Sequence, residues 1–134
     1  MPPFLLAAAL ATAPAATIPA PPPQSVLGVW TNPKGTLAVR TMMCGDALCG
    51  TVVRASPKAQ ADVQEAGGTR LVGLQLLQDY HATARGSWAG RVYVPDMGRS
   101  FSSRLRQTAP AQLTISGCLV AGLFCRSQIW HRVP

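Results

Sequence analysis

The sequence predicts an all-β fold, a single small antiparallel β-barrel of about eight strands. Three observations predict it. Apolar and polar residues alternate with period two in one stretch after another. Short turn segments rich in Gly, Asn, Asp and Pro separate these stretches. The strand segments are numerous enough that closing the sheet on itself would remove exposed edges. With 134 residues, the chain has room for one domain around one core.

The N-terminal residues read as a targeting segment outside the fold. Phe4-Leu5-Leu6 leads into an alanine-rich run to Ala16, the length of a signal-peptide apolar region and too short to span a bilayer. No Lys or Arg precedes this run. Ala13-Pro14-Ala15 is an A-x-A cleavage site, whereas cutting after Ala13 or Ala20 would put proline directly after the cut. The division expected is a signal peptide over 1–15, a Pro/Ala-rich linker over 16–25 and the barrel domain over 26–134. That makes the protein periplasmic or secreted, with no transmembrane span in the mature chain.

Gly28-Val29-Trp30 is the first short strand, ended by the turn Asn32-Pro33-Lys34-Gly35. Thr36 to Cys44 alternates Leu37, Val39, Thr41 and Met43 against Ala38, Arg40 and Met42. Gly45-Asp46 turns the chain into a strand from Cys49 to Ala55. Ser56 to Thr69 is polar and reads as the longest loop, functional or mobile. Leu71 to His81 fits either a strand or a helical face (Leu71, Leu74, Leu77), and Gly73 favours the strand.

The central hairpin, Trp88 to Leu105, has the clearest pattern. Arg91 and Tyr93 alternate with Val92 and Val94, and Phe101, Ser103 and Leu105 alternate with Ser102, Arg104 and Arg106. Between them Pro95 presets φ, Asp96 can bond its own backbone and Gly98 accepts positive φ, so the turn is type I ending in a left-handed glycine. If the valines face inward, Arg91, Tyr93 and Arg104 form an external basic-aromatic patch. Gln112 to Cys118 and Leu123 to Arg132 are the last strands, around Val120-Ala121-Gly122.

Four cysteines fall into two local pairs, Cys44 with Cys49 and Cys118 with Cys125, each bracketing a hairpin turn. In an exported chain such pairs read as disulfides, and loops this short stabilise by about 2–2.5 kcal/mol each. Free thiols and metal or redox chemistry stay open as alternatives, although C-x4-C and C-x6-C lack the short knuckle of a zinc site.

Composition narrows the function. The net charge of +7 comes from ten arginines and two lysines against five acids, with the arginines spread along strands and never in a run. That is the pattern of solvated strand faces, not of a nucleic-acid footprint, and no nucleic-acid partner is expected. A Ser-His-Asp set can be assembled only on paper, from Ser100 or Ser102, His81, and Asp79 or Asp96, without any nucleophile-elbow motif. There is no paired-carboxylate pattern and no phosphate loop. No catalytic residue, cofactor or metal ligand is expected.

The segment Cys44 to Gly50 (CGDALCG), the hairpin WAGRVYVPDMGRSF and the ending LFCRSQIWHR resemble the bacterial family known as domain of unknown function 2147. The resemblance runs from about Gly28 to Arg132. Its best motifs are G-x-x-Y-x-P-x-x-G-x-x-F, here Gly90 to Phe101, and the terminal W-x-R, here Trp130 to Arg132. The chain departs from the family in the long loop, where AQADVQEAGG (59–68) stands for an acidic, asparagine-rich segment.

The resemblance implies a small exported protein without assigned activity and a calycin-like, lipocalin-like barrel. In such barrels a G-x-W on the first strand closes against a terminal arginine. Trp30 would plug the floor, with Arg132 or Arg126 over its indole face. Function then divides three ways. First is an envelope protein binding a small apolar or amphipathic ligand in the barrel. The alternative is a structural or interaction module acting through a basic outer surface on an envelope component. A hydrolase-like enzyme ranks last.

Overall fold

The computed structural model describes residues 3, 25–118 and 125–134. The expected signal peptide, most of the linker and the Val120-Ala121-Gly122 turn lie outside the described residues. Eight antiparallel strands close in sequence order: β1 (Gly28–Thr31), β2 (Leu37–Cys44), β3 (Ala47–Ala55), β4 (Gln75–Ala84), β5 (Ser87–Val94), β6 (Arg99–Ala109), β7 (Gln112–Cys118) and β8 (Cys125–Arg132). Among the described residues no helix is long and apolar enough to cross a membrane.

Turn chemistry sets the hairpins. Gly45, Gly86 and Gly98 all have positive φ, which suits residues without a Cβ. In the β5–β6 turn the Met97 N–H donates to the Val94 carbonyl at 3.1 Å, and the Gly98 N–H reaches the same carbonyl at 2.9 Å. Gly98 has φ +62°. Register across β5 and β6 runs without interruption from Ser87↔Arg106 to Val94↔Arg99.

Ser56 to Thr69, whose polarity predicts a loop, instead carries a helix, α1 (Pro57–Glu65). The Ser56 hydroxyl caps it by accepting the Ala59 N–H at 3.1 Å, and Pro57 sits in the first turn where its missing N–H costs nothing. Val63 is its buried residue, and the Gly68 N–H returns to the Val63 carbonyl at 2.8 Å. Gln60 ties the helix onward, accepting the Leu71 N–H at 2.8 Å.

The segment Leu71 to His81 resolves as a turn, closed by Leu74 N–H to the Leu71 carbonyl, followed by β4. The helix-like spacing of Leu71, Leu74 and Leu77 spans this turn and the start of β4, and a bulge follows it. Asp79 takes φ +54°, the register shifts between Gln78 and His81, and both Leu77 and Tyr80 are thereby buried.

The cysteines of the first pair are bonded, Cys44 to Cys49, with Cα atoms 5.9 Å apart. They are diagonal rather than directly opposite, since Met42 faces Cys49 and Ala47 faces Cys44. Cys118 is disulfide-bonded, and the register sets it across from Cys125.

The core runs through the barrel: Trp30, Val39, Leu48, Val52, Leu77, Tyr80, Leu105, Leu113 and Trp130 are all buried. Topology gives the barrel two distinct ends. The β2–β3, β4–β5 and β6–β7 turns gather at one end with Val26 and Arg132. The β1–β2 and β5–β6 turns and α1 stand at the other.

Candidate functional site

The first end is sealed. Trp30 is 1% exposed and donates its indole N–H to the Val26 carbonyl at 3.0 Å. Thr41, also buried, donates to the same carbonyl at 2.7 Å and accepts the Gly28 N–H at 3.0 Å. Arg132 stacks its guanidinium 4.4 Å from the Trp30 ring centroid. It also donates to the carbonyls of Pro110 (3.0 Å), Leu27 (2.9 Å) and Ser25. One planar cation thus joins the chain before β1, the β6–β7 turn and the floor tryptophan. A Cβ on Gly28 would collide with that guanidinium, which is why the residue two before Trp30 has no side chain.

Arg126 takes no part in this closure, contrary to the alternative raised from sequence. It lies on the same strand as Arg132, but at its opposite end, and lines a cavity at the open mouth. The strand has to cross the barrel's height between the two, so they cannot share a partner.

That cavity has a volume of about 550 Å³. Val92, Val94, Met97, Phe101 and Ile115 form its apolar walls, and Asp96, Arg126 and Gln128 supply polar groups. These are inward-facing positions: Val92 pairs with Phe101, Ser103 with Gly117, and Gly117 with Arg126. Below Phe101 and Ile115 the barrel is filled by Leu105, Leu113 and Trp130. The Trp130 indole N–H donates to the Gln128 Oε1 at 3.1 Å, fixing the amide at the cavity's lower edge. At the mouth the Arg99 guanidinium lies 5.6 Å from the Phe101 ring centroid.

With the valines inward, Arg91, Tyr93 and Arg104 fall on the outer face. Arg91 and Arg104 are exposed, while Tyr93 is half-buried against the apolar cluster that also holds Val63, Leu71 and Leu76. The outer wall there presents arginine and serine, with the aromatic ring withdrawn. Asp96 and Met97 line the cavity mouth between Pro95 and Gly98, so the central turn borders the site as well as joining its strands.

Two members of a hypothetical hydrolytic set have other roles here. Ser100 gives its hydroxyl to Gln78 Oε1 at 3.1 Å, and Asp79 holds the β4 bulge. Among the described residues no cluster of three or more His, Cys, Asp or Glu could hold a metal.

Sequence reasoning missed Tyr80, which is fully buried with no hydrogen-bond partner for its hydroxyl among the described residues. Ser103 lies near it but outside hydrogen-bond geometry, and gives its own proton to the Ser116 carbonyl at 2.7 Å. Burial pushes the Tyr80 phenol up to about 12, against an opposing pull from Ser103.

The chain is similar in structure to a solved protein described as "Protein HP1028 from the human pathogen Helicobacter pylori belongs to the lipocalin family". The TM-score is 0.64 at 13% identity, over 82% of this chain and 84% of that one, a likeness of fold alone. No curated protein matches the sequence. The sequence profile described as "Uncharacterized protein conserved in bacteria (DUF2147)" matches residues 28–132, from the first strand to the arginine that seals the floor, and the chain belongs to this family.

Proposed function

We propose that this protein is a non-enzymatic, exported binding protein whose barrel takes a small apolar or amphipathic ligand. One observation carries the reading: an apolar-walled cavity of about 550 Å³ at the open end of a barrel whose other end is sealed. Ligand pockets commonly fall between about 300 and 1,000 Å³, with apolar walls and a few polar groups that fix orientation. The fold of the HP1028 protein adds support at the level of architecture only. Export is supported by the Cys44–Cys49 disulfide and by the apolar, alanine-rich N-terminal run.

The test is saturable binding of a neutral fluorescent probe, N-phenylnaphthylamine, to the oxidised protein. Binding at a single site is expected, and Val94→Trp, which fills the mouth from a half-buried position, should abolish it. Equal binding by the variant would remove the cavity from consideration. The second reading, an interaction module, draws on exposed Arg91, Arg104 and Arg106 along the outer wall of β5 and β6. Retention on anionic vesicles that is lost in the Arg91→Gln/Arg104→Gln double variant would favour it.

A further inference from the structure

We infer that the cavity selects an anionic amphiphile, a single apolar chain ending in a carboxylate, with Arg126 as the residue that receives the head group. This rests on the binding reading above and adds the chemical class of the ligand.

The donor and acceptor inventory of the cavity carries the argument. Its polar side chains are Arg126, Gln128 and Asp96. The Gln128 oxygen already accepts the Trp130 indole N–H, which leaves it one lone pair beside the two donors of its NH₂. Arg126 has only donors. The sole ion pair among the described residues is Lys58–Asp62, far along the chain on α1. Asp96 therefore shares the cavity with Arg126 without a direct ion pair between them. Arg99, stacked at the rim over Phe101, adds a second cation on the same side. Two guanidinium groups thus face one carboxylate at the mouth.

Wall geometry points the same way. Gly117 stands beside Arg126 in the β7–β8 register and has no side chain to cover the guanidinium from within. Val92, Phe101 and Ile115 remove water from one side of whatever enters. An anion held at this boundary feels the arginine through a medium less screening than bulk water. A bare hydrocarbon would make no use of either exposed donor, and an alkyl cation would meet net like charge. The filled lower barrel, Leu105, Leu113 and Trp130, sets a floor, so the chain that fits is of limited length.

The experiment displaces N-phenylnaphthylamine from the full oxidised chain with laurate, dodecanol and dodecyltrimethylammonium, and repeats the laurate titration by direct calorimetry. Laurate is expected to bind at least about tenfold more tightly than dodecanol. That gap should close in Arg126→Gln, with dodecanol unchanged and thermal melting confirming the fold. Octanoate and laurate should both outcompete palmitate. Equal affinity of laurate and dodecanol, or preference for the ammonium, overturns the assignment of an anionic head while leaving the cavity reading in place. Tight laurate binding that Arg126→Gln leaves unaltered overturns the role of Arg126. No heat and no displacement with any of the three ligands overturns the anionic amphiphile, while the binding reading falls only where N-phenylnaphthylamine itself fails to bind saturably.

Discussion

Tyr80 shows what a single buried hydroxyl does to a small barrel. Its ring fills space against Gly90 and Leu48, but its oxygen has left water without gaining a partner among the described residues. An unsatisfied hydroxyl costs about 1–3 kcal/mol. Tyr80→Phe should therefore leave stability at neutral pH unchanged or raise it by about 1 kcal/mol. The alkaline limb is more diagnostic. The phenol titrates near 10 when unfolded and near 12 when folded. Above pH 10 the unfolded chain loses its proton first, so native stability falls as pH rises toward 12, by up to about 2–3 kcal/mol. Denaturant titrations at about pH 9 and about pH 11 should show that loss in the wild type and its absence in Tyr80→Phe. The same alkaline slope in both proteins would refute this account of the site.

At the scale of elements, the β4 bulge and the glycine opposite it act as one device. Asp79 supplies the positive φ, a conformation Asp adopts more readily than most residues. The extra residue turns Tyr80 inward after Leu77. A Cβ at Gly90 would lie 2.6 Å from Tyr80 Cγ, 2.7 Å from the Gln78 carbonyl oxygen and 2.8 Å from Tyr80 Cα. Two of those three atoms are backbone, which cannot rotate away. Gly90→Ala is expected to cost about 2–3 kcal/mol, at the upper end of overpacking effects. Chemical denaturation measures it, and an unchanged midpoint would mean that β4 yields locally. Gly90 opens the G-x-x-Y-x-P-x-x-G-x-x-F motif, so its role in the motif is to admit the neighbouring strand.

For the whole molecule, closure is the vulnerable step. β1 and β8 meet through only two register pairs, Trp30↔Arg132 and Thr31↔His131, where β5 and β6 share an uninterrupted ladder. Arg132 reinforces that seam with three carbonyl contacts and the Trp30 stack. Its removal should destabilise by about 2–3 kcal/mol, since charge-assisted bonds and a cation–π contact go together. Arg132→Lys should recover less than half, because a single ammonium cannot serve three carbonyls and lie flat on an indole. Full recovery in Lys, read by thermal melting, would show that charge alone matters. A sealed floor also leaves one entrance, which is why ligand chemistry is to be sought at the β5–β6 and β8 rim.

Much of this was legible in the sequence, because period-two alternation and turn residues are local signals. Most strand segments, the Pro95–Gly98 turn and the Cys44–Cys49 link follow from neighbours a few residues apart. Local pattern leaves open which face of β5 points inward and whether Leu71 to His81 is strand or helix. The α1 signal was local too, Ser56-Pro57 at a helix start, but it was masked by the polarity of a helix that buries only Val63. What the tertiary structure alone decided is position along the barrel axis. Alternation says which residues share a side of a strand, not which side faces inward or which end of a closed barrel they occupy. Register across non-local strands put Arg132 at the floor and Arg126 at the mouth, covered Tyr93 with the apolar cluster around α1, and made Val92, Phe101 and Ile115 the wall of one cavity. Those placements depend on closing the sheet between its first and last strands, a contact between residues about a hundred positions apart, as in the Thr31–His131 bond.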